Sequence, residues 1–467
     1  MNFKEELKEY RLLQTASELA AEVGVEVYVV GGFIRDLILK KEVEDIDFLI
    51  VGDVMKYAQT FATSLGINDI VVFKTFGTAH FKHQGLNLEF VAARKESYKK
   101  SSRKPLVSEG TFYDDISRRD FTINTIAVSL SKENFGEVID HFNGAEDIEK
   151  KLIRTPLDPK ITFDDDPLRI LRAFRFASQL NFNVDESIMK AAAELRDRLE
   201  IVSQERKTDE FLKILKSPKP SIGLKLLQHS KVMEIVFPEI SQMIGVEQRE
   251  EYHHKDVFYH TLEVVDNISK KTDDVWLRFA ALVHDIAKPK TKKFVEGTGW
   301  TFHGHEELGA RMMKSIFRRM KLPMSQLDYM EKLVRLHLRP IALVSDDVTD
   351  SAIRRLIVTA DEDLEDLITL CRADITSKNP DKVDRYLNNY EIVIKKVLEV
   401  KEKDKLRAFQ SPVDGEEIMQ VCNLKPSKKV GEIKTAIEDA ILDGIIGNNY
   451  EEAYKYLLKI KDQFIEK

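Results

Sequence analysis

Cysteine is scarce in this chain, and long hydrophobic runs are absent. The 467 residues include two cysteines, Cys371 and Cys422, so we expect neither a disulfide framework nor a thiolate metal site. No apolar run approaches the roughly 20 residues that span a bilayer. The opening sequence MNFKEELKEYRLL is charged and amphipathic, unlike a secretion signal. We therefore expect a cytoplasmic protein with no membrane partner.

Acidic residues outnumber basic ones in this chain, 79 to 72. The net charge of −7 argues against nucleic-acid binding over the whole surface, although it permits a local basic groove. With 43% apolar and 32% charged residues, a chain of this length predicts a globular protein of roughly two to four domains. Two basic clusters could line such a groove or could be solvated faces: Lys99, Lys100, Arg103 and Lys104, then Lys288, Lys290, Lys292 and Lys293.

Hydrophobic periodicity changes along the chain. Short apolar stretches at residues 70–73, 78–81 and 88–92 predict strands, so the first part is expected to be an α/β head. From residue 152 onward apolar residues recur three and four apart, which predicts helices as far as the C-terminus. The polar stretch 97–115 is long enough to predict a functional loop. The expected domains are the α/β head at 1–150, an all-α neck at 151–245, a helical domain at 246–345 and a helical body and tail at 346–467.

Two glycines precede two aspartates near the start of the head. Residues 25–30 predict a strand, and Gly31 and Gly32 predict a turn that lets the backbone approach a phosphate before a helix begins. Asp45 and Asp47 open a second strand and point to the same side of it. Together they could hold divalent cations that activate a ribose 3′-hydroxyl and steady a leaving pyrophosphate. The alternative is a solvated acidic strand edge.

Two arginines beside a carboxylate form a second motif, Arg118-Arg119-Asp120, which continues to Asn124. Arginine forks onto phosphate oxygens and aspartate accepts from sugar hydroxyls. The motif therefore suits a nucleoside triphosphate. A surface ion-pair cluster at a helix end is the alternative.

A third motif, Asp165-Asp166-Pro167-Leu168-Arg169, opens a predicted helix that continues through Arg172 and Arg175. Asp166 and Arg169 are three residues apart and are expected on one helix face. One acceptor and one donor match the edge that cytosine and adenine share, an amino donor beside a ring-nitrogen acceptor, and mismatch uracil and guanine. Helix capping by Asp165 or Asp166 is the alternative.

These motifs occur in a defined order, together with Arg35-Asp36 and Ser203-Gln204-Glu205-Arg206. Over residues 20–240 the series resembles the class II tRNA nucleotidyltransferase and bacterial poly(A) polymerase family. The resemblance implies a polymerase-β-like nucleotidyltransferase head, a helical neck that selects the base, and a body and tail that hold a tRNA acceptor arm. It also implies CTP and ATP as substrates and Mg²⁺ as the metal of the head. Asp165 departs from the family, which has glutamate there.

The resemblance assigns a role to each motif. Asp45 and Asp47 would bind Mg²⁺ and catalyse transfer, Asp120 would contact the ribose, and Asp166 with Arg169 would select the base. Glu89, in a predicted strand, is a candidate third carboxylate near the metals or else a solvent-facing residue. The other nucleotide-binding candidates are Gly31, Gly32, Arg35, Arg118, Arg119, Asn124, Arg172 and Arg175.

Two features favour CCA addition over poly(A) synthesis. The Gly-Arg-Arg-Phe-like run of the poly(A) branch is missing at residues 72–77, where the sequence is VFKTFG. The stretch 97–115 resembles a loop that is shortened in family members that add only the two cytidines. We therefore expect a template-independent enzyme that adds or repairs the 3′-terminal CCA of tRNA. The alternatives are a poly(A) polymerase and a metal-dependent phosphohydrolase of RNA ends.

Histidines concentrate in the helical half, where seven of the eleven lie between residues 253 and 337. Their order resembles the HD phosphohydrolase domain. By that resemblance His260, His284, Asp285 and Asp374 would bind a metal such as Mn, Fe, Ni, Co or Mg, while His305 and His337 would contact substrate or a second metal. The alternatives are core histidines satisfied by hydrogen bonds and an inherited scaffold without metal.

Overall fold

The computed structural model describes residues 2–73, 77–99, 102–247, 256–344, 348–377, 379–404 and 411–465. They form two compact units, the first ending at Ser241 and the second beginning at Gln242. No helix in the described ranges is long and apolar enough to cross a membrane. The predicted domain borders at residues 150 and 345 fall inside these units and stay predictions.

A mixed seven-stranded sheet is the framework of the first unit. Its strands are β1 (Glu26–Val30), β2 (Asp45–Val51), β3 (Val71–Phe73), β4 (Thr78–His83), β5 (Leu86–Ala92), β8 (Ala127–Ser129) and β9 (Val138–Ile139). They lie in the order β3-β4-β5-β2-β1-β8-β9. β2 and β5 pair in parallel, whereas the other neighbouring strands are antiparallel. A separate antiparallel hairpin consists of β6 (Arg94–Lys99) and β7 (Ser102–Glu109).

One face of the sheet is a core of aromatic residues. The helices of this region are α1 (Lys4–Lys8), α2 (Arg11–Val23), α3 (Gly32–Ile38), α4 (Val54–Ser64), α5 (Phe112–Ser117) and α6 (Gly144–Glu149). The rings of Phe48 in β2 and Phe90 in β5 stack with centroids 4.8 Å apart, and Phe61 of α4 meets both edge-on. Because side chains alternate along a strand, burying Phe48 on this face places Asp45 and Asp47 on the opposite face.

The rest of the first unit is helical. Its helices are α7 (Pro159–Asp165), α8 (Leu168–Leu180), α9 (Glu186–Leu195), α10 (Gln204–Leu215), α11 (Pro220–His229), α12 (Met233–Val236) and α13 (Pro238–Ser241). Two short strands, β10 (Leu152–Ile153) and β11 (Asn183–Val184), pair in parallel beside them. α8 packs tightly on α11, where a Cβ at Gly223 would lie 2.6 Å from Ser178 Oγ. The Gly223 N–H donates to that oxygen at 2.7 Å, which holds α8 in place.

The second unit consists of helices with one small hairpin. The helices are α14 (Val257–Ser269), α15 (Val275–Val283), α16 (Lys288–Thr291), α17 (His305–Met320), α18 (Leu327–Leu336), α19 (Asp350–Ala360), α20 (Leu364–Ala373), α21 (Pro380–Asp404), α22 (Gly415–Cys422), α23 (Lys428–Leu442) and α24 (Tyr450–Ile465). The hairpin joins β12 (Lys293–Val295) to β13 (Gly299–Thr301). α14, α15, α17, α18 and α20 pack on one another. α22 to α24 enclose their own apolar cluster around Ile433 and Leu457.

The predicted α/β head and the helical remainder are confirmed, with two local corrections. The stretch 97–115 is not one loop, since most of it forms the β6–β7 hairpin and the start of α5, while residues 100 and 101 lie outside the described part. The helical region also contains the β10–β11 pair and the β12–β13 hairpin. Both hairpins are rich in lysine, so they lack the apolar and polar alternation that predicts a half-buried strand.

Candidate active site and metal centre

Three carboxylates share one face of the sheet where β2 and β5 run side by side. Asp47 is the register partner of Glu89, and Asp45 is the partner of Asn87. Asn87 Nδ2 donates to Asp45 Oδ1 at 2.6 Å, which orients that carboxylate. The predicted pairing of Asp45 with Asp47 on one side is therefore present. Glu89, the candidate third carboxylate, lies beside them on the neighbouring strand.

Gly31 allows the chain to pass close to this acidic face. Its φ of 78° and ψ of −134° are accessible only to glycine without strain. A Cβ there would lie 3.1 Å from Asp47 Oδ2 and 3.2 Å from Arg119 Nη1. Gly31 therefore lies between the carboxylate of Asp47 and the guanidinium group of Arg119, close to both. Gly32 begins α3 immediately afterwards.

The acidic face suits a divalent cation on electrostatic grounds. Burial is the main influence on Asp47 and raises the pKa of its carboxyl to about 6; Arg119 opposes the shift, while Glu89 and Asp45 add to it. Clustered carboxylates that disfavour one another's ionisation are stabilised when a cation replaces the shared proton. Carboxylate oxygens are also the ligands that Mg²⁺ prefers. These residues therefore fit the metal that the sequence predicts.

The opposite wall is basic, and a buried carboxylate orders it. Asp115 in α5 is fully buried, and its two oxygens accept from the guanidinium groups of Arg118 and Arg119. Glu96 holds Arg118 from another side, with Oε1 3.1 Å from Nη1. Because Asp115 and Glu96 already hold these arginine side chains in place, the arginines can bind a phosphate with little further loss of side-chain entropy.

Asp120 lies between this wall and the neck helix α8. Its Oδ1 accepts from Asn124 Nδ2 at 3.0 Å, and its Oδ2 accepts from Arg172 Nε at 2.8 Å. Burial acts to raise the pKa of Asp120, but Arg172 and Asn124 outweigh it and lower the pKa to about 2. Arg35 reaches the same cluster, since its Nη1 donates to Asn124 Oδ1 at 2.9 Å. An ionised Asp120 can still accept a hydrogen bond from a ribose hydroxyl, because each carboxylate oxygen accepts more than one hydrogen bond.

The arrangement of Asp166 and Arg169, the pair predicted to select the base, differs in detail from the prediction. Asp166 precedes α8 in an extended conformation, with φ of −137°, so it does not share a helix face with Arg169. Its Oδ1 accepts from the N–H of Leu168, the first residue of α8, at 3.2 Å. Arg169 donates to the carbonyl of Arg118 at 2.8 Å. Both residues nevertheless line the same cavity.

The ring of Phe176 lies next to three arginines, one from α3 and two from α8. The guanidinium carbons of Arg35, Arg172 and Arg175 lie 5.2, 5.5 and 4.4 Å from its ring centroid. Arg175 also donates to Glu210 of α10 at 3.0 Å, so part of its charge is neutralised within the protein. Arg175 therefore lines the cavity and is also held in place by contacts within the protein.

A cavity of about 590 Å³ unites these groups. Its size is within the range of ligand pockets, roughly 300–1,000 Å³. Eight arginines and four carboxylates line it, an excess of positive charge that suits a triphosphate. Asp45 lies at the exposed start of β2 and is not among the described lining residues. The predicted residues that do line the cavity are Gly31, Gly32, Arg35, Asp47, Glu89, Arg118, Arg119, Asp120, Asn124, Asp166, Arg169, Arg172 and Arg175.

A second cluster of polar residues lies inside the second unit. The buried helix α15 ends at Val283, and His284 and Asp285 follow it directly. Two groups of potential metal ligands share Asp285: one adds His260 and His284, the other adds His305 and His337. Asp374 joins the first group, with Oδ1 2.9 Å from His260 Nε2 and 3.4 Å from His284 Nε2. The structure thus brings all six predicted residues together, while His253 and His254 lie outside the described residues.

The imidazoles of this cluster are oriented for metal binding. The Nδ1 atoms of His284, His305 and His337 lie 2.7–2.8 Å from backbone carbonyls, which can only accept, so each Nδ1 donates a proton. In the neutral form that binds metals, each imidazole then carries its lone pair on Nε2, on the side of Asp285 or Asp374. These three buried Nε2 atoms form no hydrogen bond with a described residue. Such a donor set fits a transition metal, and Asp285 belongs to both groups of potential ligands.

The electrostatics of the cluster point to the same conclusion. Burial acts to lower the pKa of His284, but the carboxylates of Asp285 and Asp374 outweigh burial and raise the pKa to about 10. Burial and the neighbouring His284 lower the pKa of His337 to about 4. One positive charge is therefore favoured at the centre, and a cation can take the place of that proton.

Family models match three parts of the chain. Residues 27–154 match the poly A polymerase head domain, residues 181–244 the probable RNA- and SrmB-binding site of polymerase A, and residues 257–379 the HD domain. The A-adding tRNA nucleotidyltransferase of Deinococcus radiodurans is 31% identical over 72% of this chain and 77% of its own length. The chain belongs to the tRNA nucleotidyltransferase and poly(A) polymerase family.

Other family members are similar over different lengths. The A-adding tRNA nucleotidyltransferase of Aquifex aeolicus is 35% identical over 58% of this chain, but the match spans 32% of that relative. The multifunctional CCA protein of Shewanella frigidimarina is 31% identical over 64% of this chain and 70% of its own length. A solved CCA-adding enzyme in an apo form covers 98% of the chain and 99% of its own, with a TM-score of 0.65 and 22% identity. At that identity the likeness shows the fold.

Three residues that organise these sites in this family member were not singled out from the sequence. Asp115 could have been found, since it precedes Arg118 and Arg119 by three and four residues, the spacing of one helix face. Phe176 and Thr376 carried no such signal. Phe176 is the ring under three arginines, and Thr376 Oγ1 lies 2.9 Å from His260 Nδ1.

Asp115→Ala is expected to lower the free energy of unfolding by about 3 kcal/mol, because it removes the carboxylate from Arg119 and leaves Arg118 with Glu96 alone. Urea denaturation of the full chain measures this change. Asp209→Ala is the matched control, since Asp209 pairs with Lys213 on an exposed helix face and such pairs contribute about 0–1 kcal/mol. Equal losses in the two variants would show that Asp115 does not organise the basic wall.

Proposed function

We propose that the first unit transfers nucleotides from CTP and ATP to the 3′ end of tRNA and so completes or repairs its CCA terminus. The observation that carries this proposal is the single cavity in which a carboxylate face, a basic wall and the Asp166–Arg169 pair meet. The names of the relatives in Deinococcus and Shewanella support tRNA as the acceptor. Selection of the base by side chains removes the need for a nucleic-acid template.

Each face of the cavity has a part in the reaction. Mg²⁺ bound by Asp45, Asp47 and Glu89 would favour the ionised ribose 3′-hydroxyl and neutralise the leaving pyrophosphate. Arg118 and Arg119 hold the triphosphate in line with that hydroxyl. The remaining polar residues position the nucleoside, since Asp120 accepts from the ribose and Arg172 keeps that carboxylate ionised and oriented.

Base choice is assigned to Asp166 and Arg169. We expect Asp166→Ala to reduce the preference for CTP and ATP over UTP and GTP by roughly tenfold or more, because an unpaired polar edge no longer penalises the wrong base. Single-turnover incorporation of each nucleotide measures the ratio. Asp164→Ala is the control, since Asp164 also precedes α8 but pairs with Arg198 instead of lining the cavity. Unchanged ratios in Asp166→Ala would remove it from base selection.

The hairpin at residues 94–109 is proposed to support addition of the final adenosine. Deleting residues 99–105 removes its distal end while leaving Arg94 and Glu96 near the cavity. We expect incorporation of C to persist and incorporation of A to be lost, as measured on tRNA transcripts that lack CCA and on transcripts ending in CC. A circular-dichroism melt confirms folding of the shortened chain. Equal loss of both activities would reject this role.

A-only addition is the second candidate, favoured by the names of the Aquifex and Deinococcus relatives. One assay separates it from full CCA addition and from poly(A) synthesis. The protein is given tRNA transcripts ending before CCA, after C or after CC, with CTP and ATP separately and together, and the 3′ ends are sequenced. Full CCA addition extends all three and then stops. A-only addition extends only the last, and poly(A) synthesis continues with ATP alone.

We further propose that the histidine cluster of the second unit is a metal centre for phosphate-ester hydrolysis at RNA ends. Four buried imidazoles and two carboxylates converge there, and three of the imidazoles direct an Nε2 lone pair inward. A metal held by them would supply an activated water. The metal is assigned by donor chemistry to the Mn, Fe, Co or Ni group, with Mg²⁺ as the less suited ion because imidazole is a poor ligand for it.

A further inference from the structure

The β12–β13 hairpin of the second unit carries aromatic rings that do not belong to the core. Phe294 and Trp300 are register partners on its two strands, and their ring centroids are 5.2 Å apart at an interplanar angle of 74°. Phe294 is 55% exposed. Because a hairpin with three-residue strands gains little stability from an exposed ring, the pair is better explained by an external ligand.

Lysines surround these rings. Lys292 Nζ lies 4.3 Å from the centroid of Trp300, and Lys288 Nζ lies 5.6 Å from that of Phe302. Residues 288–303 contain four lysines and a single acidic residue, Glu296 in the turn. The segment is therefore strongly basic in a chain whose net charge is −7. Aromatic faces combined with flexible cations are the surface that single-stranded nucleic acids bind.

Both ends of this segment lead into the histidine cluster. Lys288 Nζ is 2.6 Å from Asp285 Oδ2 at one end. At the other end the carbonyl of Phe302 accepts from His305 Nδ1 at 2.8 Å, and His305 Nε2 is 3.2 Å from Asp285 Oδ1. The two ends of the hairpin segment are thus connected to the histidine cluster by short contacts to Asp285 and His305.

We propose that the aromatic hairpin, residues 288–302, binds the terminal nucleotide of a single-stranded RNA 3′ end and directs its phosphate to the histidine cluster. The base stacks on the Phe294–Trp300 pair, and Lys292 and Lys288 contact the phosphates. A nucleotide fits better than a peptide because the rings form a small platform among cations rather than a broad apolar patch. The proposal extends the hydrolase assignment of this unit and does not depend on nucleotide addition by the first unit.

Trp300 provides a local reporter for this binding. The other tryptophan, Trp276, lies in α15 with its ring 6.4 Å from those of Phe279 and Phe317, so Trp276→Phe leaves Trp300 as the single indole at modest structural cost. The full-length Trp276→Phe protein is titrated in chelator with a short single-stranded RNA that ends in a 3′-phosphate. We expect saturable quenching of fluorescence by base stacking. The same RNA in a duplex, ribose 5-phosphate without a base, and adenosine without a phosphate are expected to bind at least tenfold more weakly.

Variants in the same background separate stacking from charge. Phe294→Ala and Lys292→Ala are each expected to weaken binding about tenfold, in line with one lost stack or one lost phosphate contact, and Lys292→Ala also reduces the salt dependence. Tyr450→Ala and Lys270→Ala are controls at exposed positions outside the hairpin and are expected to change affinity by less than twofold. Trp300→Phe, made in the otherwise unaltered protein, keeps an aromatic ring at this position. We therefore expect this variant still to bind RNA, as measured by the anisotropy of a labelled RNA.

Three results would overturn the assignment. They are the absence of quenching at saturating RNA, equal affinities for Phe294→Ala and its parent, and binding of ribose 5-phosphate as tightly as the RNA. Addition of nucleotides to tRNA is measured in parallel and is expected to be unchanged in Phe294→Ala. Loss of quenching with retained addition would reject the hairpin site alone, whereas absent addition with intact quenching would reject the function proposed for the first unit.

Discussion

Asp47→Ala is expected to lower nucleotide incorporation on the order of a thousandfold while tRNA binding stays nearly intact. Asp47 is the carboxylate closest to Gly31, which separates it from Arg119, and it is in register with Glu89. Losing a carboxylate ligand removes several kcal/mol of charge stabilisation from the reacting phosphate, and about 1.4 kcal/mol corresponds to a tenfold change in rate. Single-turnover incorporation and a filter-binding titration of tRNA measure the two quantities.

The controls for Asp47 test charge, position and neighbours. Asp47→Asn keeps the shape but not the charge, so it is expected to lose most of the activity as well. Glu26→Ala removes an exposed carboxylate from the start of β1 and is expected to change the rate less than twofold. Glu89→Gln is expected to raise the Mg²⁺ concentration needed for half-maximal rate. Full turnover by Asp47→Ala would refute the assignment of the acidic face.

Asp285→Ala is expected to remove bound transition metal from the second unit. Asp285 is common to both ligand groups, and its two oxygens lie 3.2 Å from His284 Nε2 and from His305 Nε2. Protein purified with metal supplied is expected to hold close to one ion per chain and the variant less than a tenth of that, measured by elemental analysis. Metal that binds only the folded state also stabilises it, by about 2.7 kcal/mol at a hundredfold excess over Kd.

Two comparisons sharpen this second experiment. His303→Ala removes an exposed histidine two residues before His305 and is expected to keep the metal. His284→Ala is expected to lose it, because His284 contacts both Asp285 and Asp374. Unfolding in urea with and without chelator reports the stabilisation independently of enzymatic activity. If the unaltered protein bound no metal at saturating supply, the cluster would be a hydrogen-bonded scaffold rather than a metal centre.

Local patterns in the sequence were sufficient for the main elements. The apolar stretches around Val29, Phe48 and Phe90 predicted strands that the structure contains, and the repeat from Leu168 to Leu180 predicted α8. Side-chain alternation along a strand also placed Asp45 and Asp47 on one side before any contact was known. These properties depend on residues a few positions apart, so they are visible in one dimension.

Hairpins were harder to predict than helices in this chain. The sequence of β6 and β7, RKESYK and SRKPLVSE, lacks an apolar face, and the sequence of β12 and β13 is short and rich in lysine. Their pairing depends on partners across a turn rather than on burial. The helix-face prediction for Asp166 failed for a different and local reason, since Pro167 disfavours a helical conformation at the residue before it.

By itself, the sequence determined the family, the α/β head followed by helices, and the identity of most polar residues at both sites, because each motif is a short run with its own spacing. Only the tertiary structure decided which distant residues meet. The register of β2 and β5 brings Glu89 beside Asp47, α8 brings Arg172 to Asp120, and the end of α20 brings Asp374 to His260. These contacts depend on the packing of whole strands and helices, which the spacing of residues within a short motif does not encode.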